Sequence, residues 1–190
     1  IASPIIDDFL KILPDFQQRN WTLAYRAVEK RLALDKKPPL PKEVLKKSIH
    51  ITIPGRLEKR IIDGVNIIFD VAHNPQKIRA LIDSLRKLYP DKKPIFVVAF
   101  GQNKHSSMAE SLAIIDNLAQ LAYATTFSAN YGKNHRNVPP ETIQHLMKSA
   151  VEIEHNPNKA LEKAIKKARQ LDTYVVVAGS FYLVSEFAAS

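Results

Sequence analysis

The sequence predicts an α/β fold of three layers, in which a mostly parallel sheet of about six strands lies between two layers of helices. From residue 57 to the end of the chain, short apolar runs alternate with amphipathic segments of helical length. The runs at 95–100 and 174–178 are apolar throughout, as expected for parallel strands that are covered on both faces. Asp63-Gly64 lies between two further apolar runs, which indicates a hairpin and therefore one antiparallel strand.

The beginning of the chain carries only helical patterns. Apolar residues recur at helical spacing over 1–13 and again over 21–34, and Pro14 separates the two patterns. Three prolines within 35–41 indicate an irregular connector, and 42–47 is long enough for one or two helical turns. This part therefore differs in class from the rest of the chain.

We expect a domain boundary near residue 49, shortly before Pro54-Gly55-Arg56. Residues 1–48 are predicted to be a short helical tail that belongs to a preceding domain. Residues 49–190 are predicted to be the complete α/β domain. Because the chain begins with Ile1 and not with Met, it is expected to be a processed product or a fragment of a longer protein, and we favour a fragment.

The α/β domain is predicted element by element from apolar runs and from helix-start residues. The Asn-Pro pairs at Asn74-Pro75 and Asn156-Pro157 suit the cap and first turn of a helix, and Pro139-Pro140 also suits a helix start. In chain order, we predict strands at 58–62, 65–69, 95–100, 122–127, 151–153 and 174–178, and helices at 76–88, 108–121, 141–149, 159–171 and 181–187. The alternation is Rossmann-like, but no Gly-x-Gly-x-x-Gly is present, so a standard dinucleotide site is not expected.

Composition restricts the possible functions. The absence of cysteine excludes disulfides, thiolate catalysis and cysteine-based zinc sites, and no apolar run is long enough to span a membrane. With no secretion signal at its start, the protein is expected to be cytoplasmic. A net charge of +9 favours anionic partners. The lysines are scattered over predicted helices without interleaved aromatic residues, so nucleic acid is not expected as a partner.

The stretch Asp70-Val71-Ala72-His73-Asn74-Pro75 is the main candidate for a site. It follows a predicted buried strand, and ligands of open α/β sheets bind outside the carboxyl ends of strands. A purely structural interpretation is also open, because His155-Asn156-Pro157 repeats the triplet before another predicted helix. The local pattern alone therefore does not decide whether Asp70 and His73 bind a ligand.

Four motifs, taken together in their order and spacing, indicate the family more strongly than any one of them alone. They are Phe16-Gln17-x-x-Asn20, Pro54-Gly55-Arg56, Asp70-x-Ala72-His73-Asn74-Pro75 and Gly179-Ser180-Phe181-Tyr182-Leu183-Val184. In this order and spacing the chain resembles the carboxyl-terminal part of folylpolyglutamate synthases and dihydrofolate synthases, in the Mur ligase superfamily. A P-loop sequence is absent, and the resemblance implies that it lies in an amino-terminal domain of the same protein.

The resemblance implies an ATP-dependent, amide-forming ligase that adds L-glutamate to a folate or dihydropteroate carboxylate through an acyl phosphate. ATP, L-glutamate, the folate or dihydropteroate and the P-loop domain are the implied partners, and Mg²⁺ is implied as a cofactor held by the missing domain. No metal site is expected within this chain, and no membrane contact. The chain alone is expected to be inactive.

The resemblance also implies roles for individual residues. Asn20 and Arg56 match residues that contact ATP; for each the alternative is structural, a helix cap for Asn20 and a surface arginine for Arg56. Asp70 and His73 match the nucleotide site and are the predicted catalytic residues: Asp70 would orient the ribose, a water or the incoming amine, and His73 would bond phosphate or glutamate.

Two further residues are implied to bind glutamate. Ser180 matches a serine that holds the incoming glutamate, with a plain helix cap as the alternative, and Arg136 matches an arginine of a loop that faces the glutamate pocket. The pair Lys104-His105 departs from the family pattern, in which an Asp-Lys pair is usual at this loop.

Other functions stay open from the sequence. One alternative is the corresponding lobe of a peptidoglycan Mur-type amino-acid ligase, and another is a stand-alone nucleotide-binding module. Nucleic-acid binding through the positive charge is a third, and it would show steeply salt-dependent affinity.

Overall fold

The computed structural model describes residues 9–102, 105–128 and 136–187, except for the side chains of residues 105 and 106. The described chain divides into two compact units, one up to Thr52 and one from Ile53 onward. The division lies four residues after the boundary expected from the sequence, between residues 48 and 49. No helix in the described ranges is both long enough and apolar enough to cross a membrane.

The first unit contains two helices, α1 (Asp15–Leu34) and α2 (Lys42–Ser48). The indole of Trp21 stacks on Tyr25 with ring centroids 5.3 Å apart, and its Nε1 donates to Ser48 Oγ at 2.8 Å, which ties α1 to α2. Most of the helix predicted before Pro14 lies outside the described residues. Of its end, residues 9 and 10 are helical and the chain turns at 11–13.

The second unit is built around a six-stranded sheet. In chain order its elements are β1 (Glu58–Ile62), β2 (Val65–Phe69), α3 (Pro75–Leu88), β3 (Ile95–Val98), α4 (His105–Asp116), β4 (Leu121–Ala124), α5 (Pro140–Leu146), β5 (Val151–Ile153), α6 (Pro157–Gln170), β6 (Val175–Ala178) and α7 (Phe181–Ser185). The strands lie in the order β1-β2-β6-β3-β4-β5, and every pair is parallel except β1 with β2. The predicted fold class, including the antiparallel hairpin, is confirmed.

Both faces of the sheet are covered. On one face, alternate strand residues such as Ile67, Phe69 and Val97 pack with buried side chains of α6 and α7 in one apolar cluster. The intervening strand residues, such as Ile68 and Phe96, point to the opposite face and are also fully buried. The buried side chains of α3 and α4 lie outside the first cluster and cover that second face.

Several predicted element ends are wrong by two to five residues. The strand predicted at 95–100 ends at Val98, because Phe100 turns to accept from Val138 N at 2.8 Å outside the sheet. The helix predicted at 108–121 is His105–Asp116, and Leu121 instead begins β4, which ends at Ala124 and not at residue 127. Apolar residues in tight turns extend the sequence pattern beyond the hydrogen-bonded element.

Candidate functional site

The predicted site residues of the second unit converge on one edge of the sheet. Asp70 and His73 follow β2, Ser180 follows β6, and Arg136 lies in the segment that pairs with the end of β3, where Gln102 N donates to its carbonyl at 2.9 Å. Because β1 runs antiparallel to β2, Arg56, which precedes β1, lies at the same edge. All five therefore lie where ligands of such sheets bind.

Asp70 is a buried carboxylate held by backbone amides. Its side chain is 5% exposed, its Oδ2 accepts from Leu57 N at 2.9 Å, and its Oδ1 accepts from Ala72 N at 2.8 Å. Its own N–H donates to the Val177 carbonyl at 3.0 Å and continues the β2–β6 ladder. Asp70 thus fixes the turn that holds Arg56 and the turn that leads to His73.

Burial raises the pKa of the Asp70 carboxyl above its usual range, since the charged form loses its hydration. The two amide hydrogen bonds and the positive charges of Arg56 and Lys77 act in the opposite direction without outweighing burial. Arg56 adjoins Leu57, whose N–H donates to Asp70, and Lys77 Nζ lies 3.5 Å from His73 Nε2. Arg56 and Lys77 therefore add positive charge at this edge of the sheet, which favours an anionic ligand.

The turn before β1 is fixed on several sides. Gly55 N donates to Glu58 Oε2 at 2.8 Å, and the Gly55 carbonyl accepts from Val71 N at 2.9 Å. Gly55 has a φ of +67°, and an added Cβ would lie 2.7 Å from Val71 Cγ1. Leu57 is also left-handed, with a φ of +48°, and its N–H is the group that Asp70 accepts. Arg56 is half-buried between these two anchored residues.

His73 is half-buried, and its ring is oriented by its neighbours. Its Nδ1 lies 2.8 Å from the Val71 carbonyl, so Nδ1 carries the proton and donates. Its Nε2 then faces Lys77 Nζ at 3.5 Å. The imidazole can accept a proton at Nε2 or donate one from it, beside an ammonium group that suits phosphate or carboxylate oxygens.

The chain contains two His-Asn-Pro triplets, at 73–75 and 155–157, and comparing them distinguishes the capping role of the asparagine from a role of the histidine in the candidate site. Asn74 Oδ1 accepts from Lys77 N and Asn156 Oδ1 accepts from Lys159 N, each at 3.0 Å, so both asparagines are helix caps. The histidines differ, because the side chain of His155 is 66% exposed and pairs with Glu141 at 3.5 Å. The two triplets share their capping geometry, and of the two histidines only His73 is half-buried with its ring held by a backbone carbonyl.

Ser180 is buried and caps the last helix. Its Oγ accepts from Tyr182 N at 3.1 Å at the start of α7. Gly179 before it has a φ of +102°, and an added Cβ would lie 2.6 Å from the Ala99 carbonyl. Position 179, between β6 and α7, therefore accommodates only glycine. This close approach also places Ser180 near the end of β3.

Arg136 is exposed. The backbone at this position is held by the next residue, Asn137. Asn137 forms two side-chain hydrogen bonds of 2.8 Å with the backbone of Phe127, which joins the ends of β3 and β4. The preceding loop residues, among them Asn134 and His135, lie outside the described residues, as do Asn103 and Lys104.

Asn20 lies in the first unit. It is the sixth residue of α1 and is exposed, so it does not cap this helix, which begins at Asp15 after Pro14. The capping interpretation of Asn20 is therefore wrong, and contact with ATP stays a prediction.

Three residues at this edge were missed by the sequence interpretation. Glu58 and Arg60 hold the Arg56 turn, and Lys77 faces His73. Two patterns could have indicated them: charges at alternate positions of a strand share one face, and position 77 lies four residues after His73 across a helix start.

The described residues contain no group of three or more histidine, aspartate or glutamate side chains that could hold a metal ion. Asp70, whose two oxygens each accept one backbone amide, belongs to no such group.

The fold and the charged edge define a Rossmann-like domain suited to an anionic ligand, and the comparisons with known proteins identify its family. The model of the Mur ligase, glutamate ligase domain matches residues 55–181. The chain belongs to this family.

The similar proteins include ligases that act on folates and on peptidoglycan precursors, by their names. The chain is 27% identical over 183 residues to a folylpolyglutamate synthase of Lacticaseibacillus casei, covering 95% of this chain and 40% of the relative. It is 26% identical over 125 residues to a UDP-N-acetylmuramate–L-alanine ligase of Sorangium cellulosum, covering 63% of this chain and 27% of the relative. The structure of Mycobacterium tuberculosis folylpolyglutamate synthase complexed with ADP has the same fold, with a TM-score of 0.73 and 22% identity over 93% of this chain and 39% of that one. The chain thus spans about 40% of the length of these folate relatives.

Proposed function

We propose that this chain is the carboxyl-terminal lobe of a folylpolyglutamate synthase or dihydrofolate synthase, which uses ATP to add L-glutamate to a folate or dihydropteroate carboxylate. The observation that carries the proposal is the edge formed by Arg56, Asp70, His73 and Ser180 in a domain of the Mur ligase family. The relative matched over 95% of this chain is a folylpolyglutamate synthase, which favours a folate as acceptor.

The proposed reaction has two transfers. A carboxylate oxygen of the acceptor attacks the γ-phosphorus of ATP, the bond to the bridging oxygen breaks, and ADP leaves. The amine of glutamate then attacks the carbonyl carbon of the acyl phosphate. Inorganic phosphate leaves with the former carboxylate oxygen, the amide bond forms, and the proton of the amine passes to a base or to water. Both steps concentrate negative charge on oxygens, and fixed cations stabilise such charge.

The proposed roles rest on the resemblance of the motifs to those of folate ligases, and for the residues of the second unit the geometry of the edge supports them. Arg56 presents a permanently charged, planar guanidinium to the ATP phosphates, and Asn20 contributes to the ATP site from α1. His73, with Nδ1 donating to the Val71 carbonyl, accepts a proton at Nε2 and in its protonated form donates from Nε2 to a phosphate or glutamate oxygen, next to Lys77. Ser180 and Arg136 contact the glutamate carboxylates.

Asp70 acts in this proposal mainly as a positioning group. Both of its oxygens accept from backbone amides, so its contribution to catalysis passes through the turns that carry Arg56 and His73. Any direct contact with the nucleotide would use the remaining lone pairs of the same two oxygens.

The first unit is proposed to be the tail of the central, P-loop-containing domain of the same protein. None of the residues of α1 is fully buried within the described chain, and Leu23 and Leu34 are each 70% exposed. A helix of 20 residues with exposed leucines is typical of a piece of a larger core. Mg²⁺ is proposed to bind in that domain, and the chain alone is proposed to be inactive.

The proposal is tested with the full-length protein and a panel of acceptors. Dihydropteroate, tetrahydrofolate and UDP-N-acetylmuramate are each incubated with ATP and with L-glutamate or L-alanine, and the amide product is identified by mass spectrometry. A glutamyl product of dihydropteroate or tetrahydrofolate is expected. An aminoacyl product of UDP-N-acetylmuramate alone would establish the peptidoglycan alternative, and ATP binding without any product would establish a nucleotide-binding module.

A further inference from the structure

The structure holds a charged network beside the Arg56 turn that the proposed reaction does not use. Glu58 Oε2 accepts from Gly55 N at 2.8 Å, and Glu58 Oε1 accepts from Arg60 Nε at 2.8 Å. Arg60 Nη1 donates to the Phe187 carbonyl at 2.6 Å. The network therefore joins the turn before β1 to Phe187, two residues after the end of α7.

The network is enclosed rather than solvated. The side chains of Glu58 and Arg60 are 19% and 27% exposed, and the guanidinium of Arg60 lies 4.8 Å from the centroid of the Phe69 ring. Burial acts to raise the pKa of Glu58, but the Gly55 amide and Arg60 outweigh it, so the pKa lies below its usual range. A partly buried ion pair with fixed partners holds its geometry better than an exposed one.

The positions of Glu58 and Arg60 in β1 explain how Arg60 contacts the Phe187 carbonyl. Glu58 lies opposite Phe69 and Arg60 lies opposite Ile67 in the β1–β2 register, so both side chains share the face on which α6 and α7 pack. Lys59, between them, points to the other face and is exposed. Both charged side chains therefore lie on the face of the sheet that α7 covers. From this face Arg60 reaches the Phe187 carbonyl, which a side chain on the opposite face could not do.

We propose that Glu58 and Arg60 are positioning residues that fix the Arg56 turn and couple it to the helix capped by Ser180. The inference rests on the proposed function, in which Arg56 faces ATP and Ser180 faces glutamate. Glu58 fixes the residue before Arg56 and Asp70 fixes the residue after it. Arg60 fixes the carboxylate of Glu58 and, through Phe187, the end of α7.

A double-mutant cycle in the full-length protein separates positioning from a general structural role. Glu58→Ala is expected to lower kcat/KM for ATP by about tenfold, chiefly through KM, which corresponds to the loss of one charge-assisted hydrogen bond. Glu58→Gln keeps an oxygen for the Gly55 amide and is expected to lose only about threefold, a fraction of that bond. In an Arg56→Ala background, Glu58→Ala is expected to change kcat/KM for ATP by less than about twofold, since coupled residues are not additive.

The controls address folding and the coupling to α7. Glu110→Ala removes an exposed ion pair with Arg79 and is expected to leave both constants unchanged. Arg60→Met is expected to raise KM for glutamate as well as for ATP. An equal loss from Glu58→Ala with and without Arg56, or wild-type constants in Glu58→Ala, would overturn the inference.

The failure of the inference and the failure of the proposed function give different results. The same cycle is measured by calorimetric ATP binding, which requires no turnover. A full-length protein that binds ATP but makes no glutamyl product contradicts the proposed function and leaves the binding cycle to decide the inference. A full-length protein that binds no ATP overturns both.

Discussion

Both oxygens of Asp70 accept backbone N–H groups, from Leu57 and from Ala72, at the end of a largely buried strand. A buried carboxylate costs free energy unless such donors satisfy it. Here the donors belong to two different turns, so one side chain fixes the backbone near Arg56 and near His73 at once. At the scale of the residue, the site is a set of turns organised by one acid.

The pH dependence of stability tests this account of Asp70. Because its pKa is raised in the folded state, the folded protein holds this proton to higher pH than the unfolded chain does, so stability falls as pH rises through the raised pKa. Asp70→Asn loses one amide hydrogen bond, worth about 1 kcal/mol, and no longer titrates. We expect wild type to be the more stable in acid and the difference to narrow toward neutral pH.

The measurement is urea unfolding of wild type and Asp70→Asn between about pH 3 and pH 7. Asp83→Asn, at a side chain that is 69% exposed on α3, controls for the change from acid to amide. A difference in unfolding free energy that widens toward neutral pH would show that the pKa of Asp70 is lowered instead.

Gly179 gives a second prediction at the residue scale. Gly179→Ala places a Cβ 2.6 Å from the Ala99 carbonyl at a φ of +102°, so we expect a loss of about 3 kcal/mol from overpacking and backbone strain. Gly64→Ala is the matched control, because Gly64 has a φ of +77° with nothing within 4 Å of an added Cβ, and strain alone costs about 1 kcal/mol. Equal losses of unfolding free energy in the two variants, measured by chemical unfolding, would contradict the close approach of Gly179 to the Ala99 carbonyl.

Helices α3 and α6 begin in the same way, with an asparagine cap followed by proline. The pattern predicted the start of α3 to within one residue and that of α6 to within two, because capping is decided locally, by one side chain and one amide. The ends of β3, β4, α4 and α5 were less predictable, since apolar residues such as Phe100 and Leu118 stay buried in turns after the regular hydrogen bonds stop. At the scale of the element, the start of a helix is determined by local residues, whereas the end of a helix or strand depends on tertiary packing.

The two caps provide a prediction at this scale. Asn74→Ala and Asn156→Ala are each expected to lower the free energy of unfolding by about 1 kcal/mol, because each removes one 3.0 Å bond to a helix amide. In the full-length protein below its unfolding temperature, we expect neither change to alter the KM for glutamate. A selective rise of that KM in Asn74→Ala would show that Asn74 binds a ligand and does more than cap α3.

At the scale of the whole molecule, the strand pattern and the Asp63-Gly64 turn were sufficient to predict the six-stranded mixed sheet. The site was only partly predictable. Asp70, His73 and Ser180 follow strands and can be found from the sequence, whereas the partners of Asp70 and the role of Glu58 depend on turns folded back from elsewhere. Contacts of that kind have no local periodicity.

The second unit is expected to fold without the first. Residues 53–190 contain all six strands and the helices that cover both faces of the sheet, so they bury a complete core. Expressed alone, this segment should unfold in one cooperative thermal transition with α/β circular dichroism. A non-cooperative transition, or a collapsed state that binds hydrophobic dyes, would contradict the independence of this unit.

The central claim is that the carboxyl edge of this sheet is the ligand face of an ATP-dependent ligase. The most direct test is the kcat/KM for ATP of the full-length protein carrying Arg56→Ala, with Arg79→Ala as the control at an exposed arginine of α3 that pairs with Glu110. We expect Arg56→Ala to lower this constant by at least about thirtyfold, as the loss of a charged contact to phosphate implies, and Arg79→Ala to leave it unchanged. Equal constants for wild type and Arg56→Ala would contradict the claim.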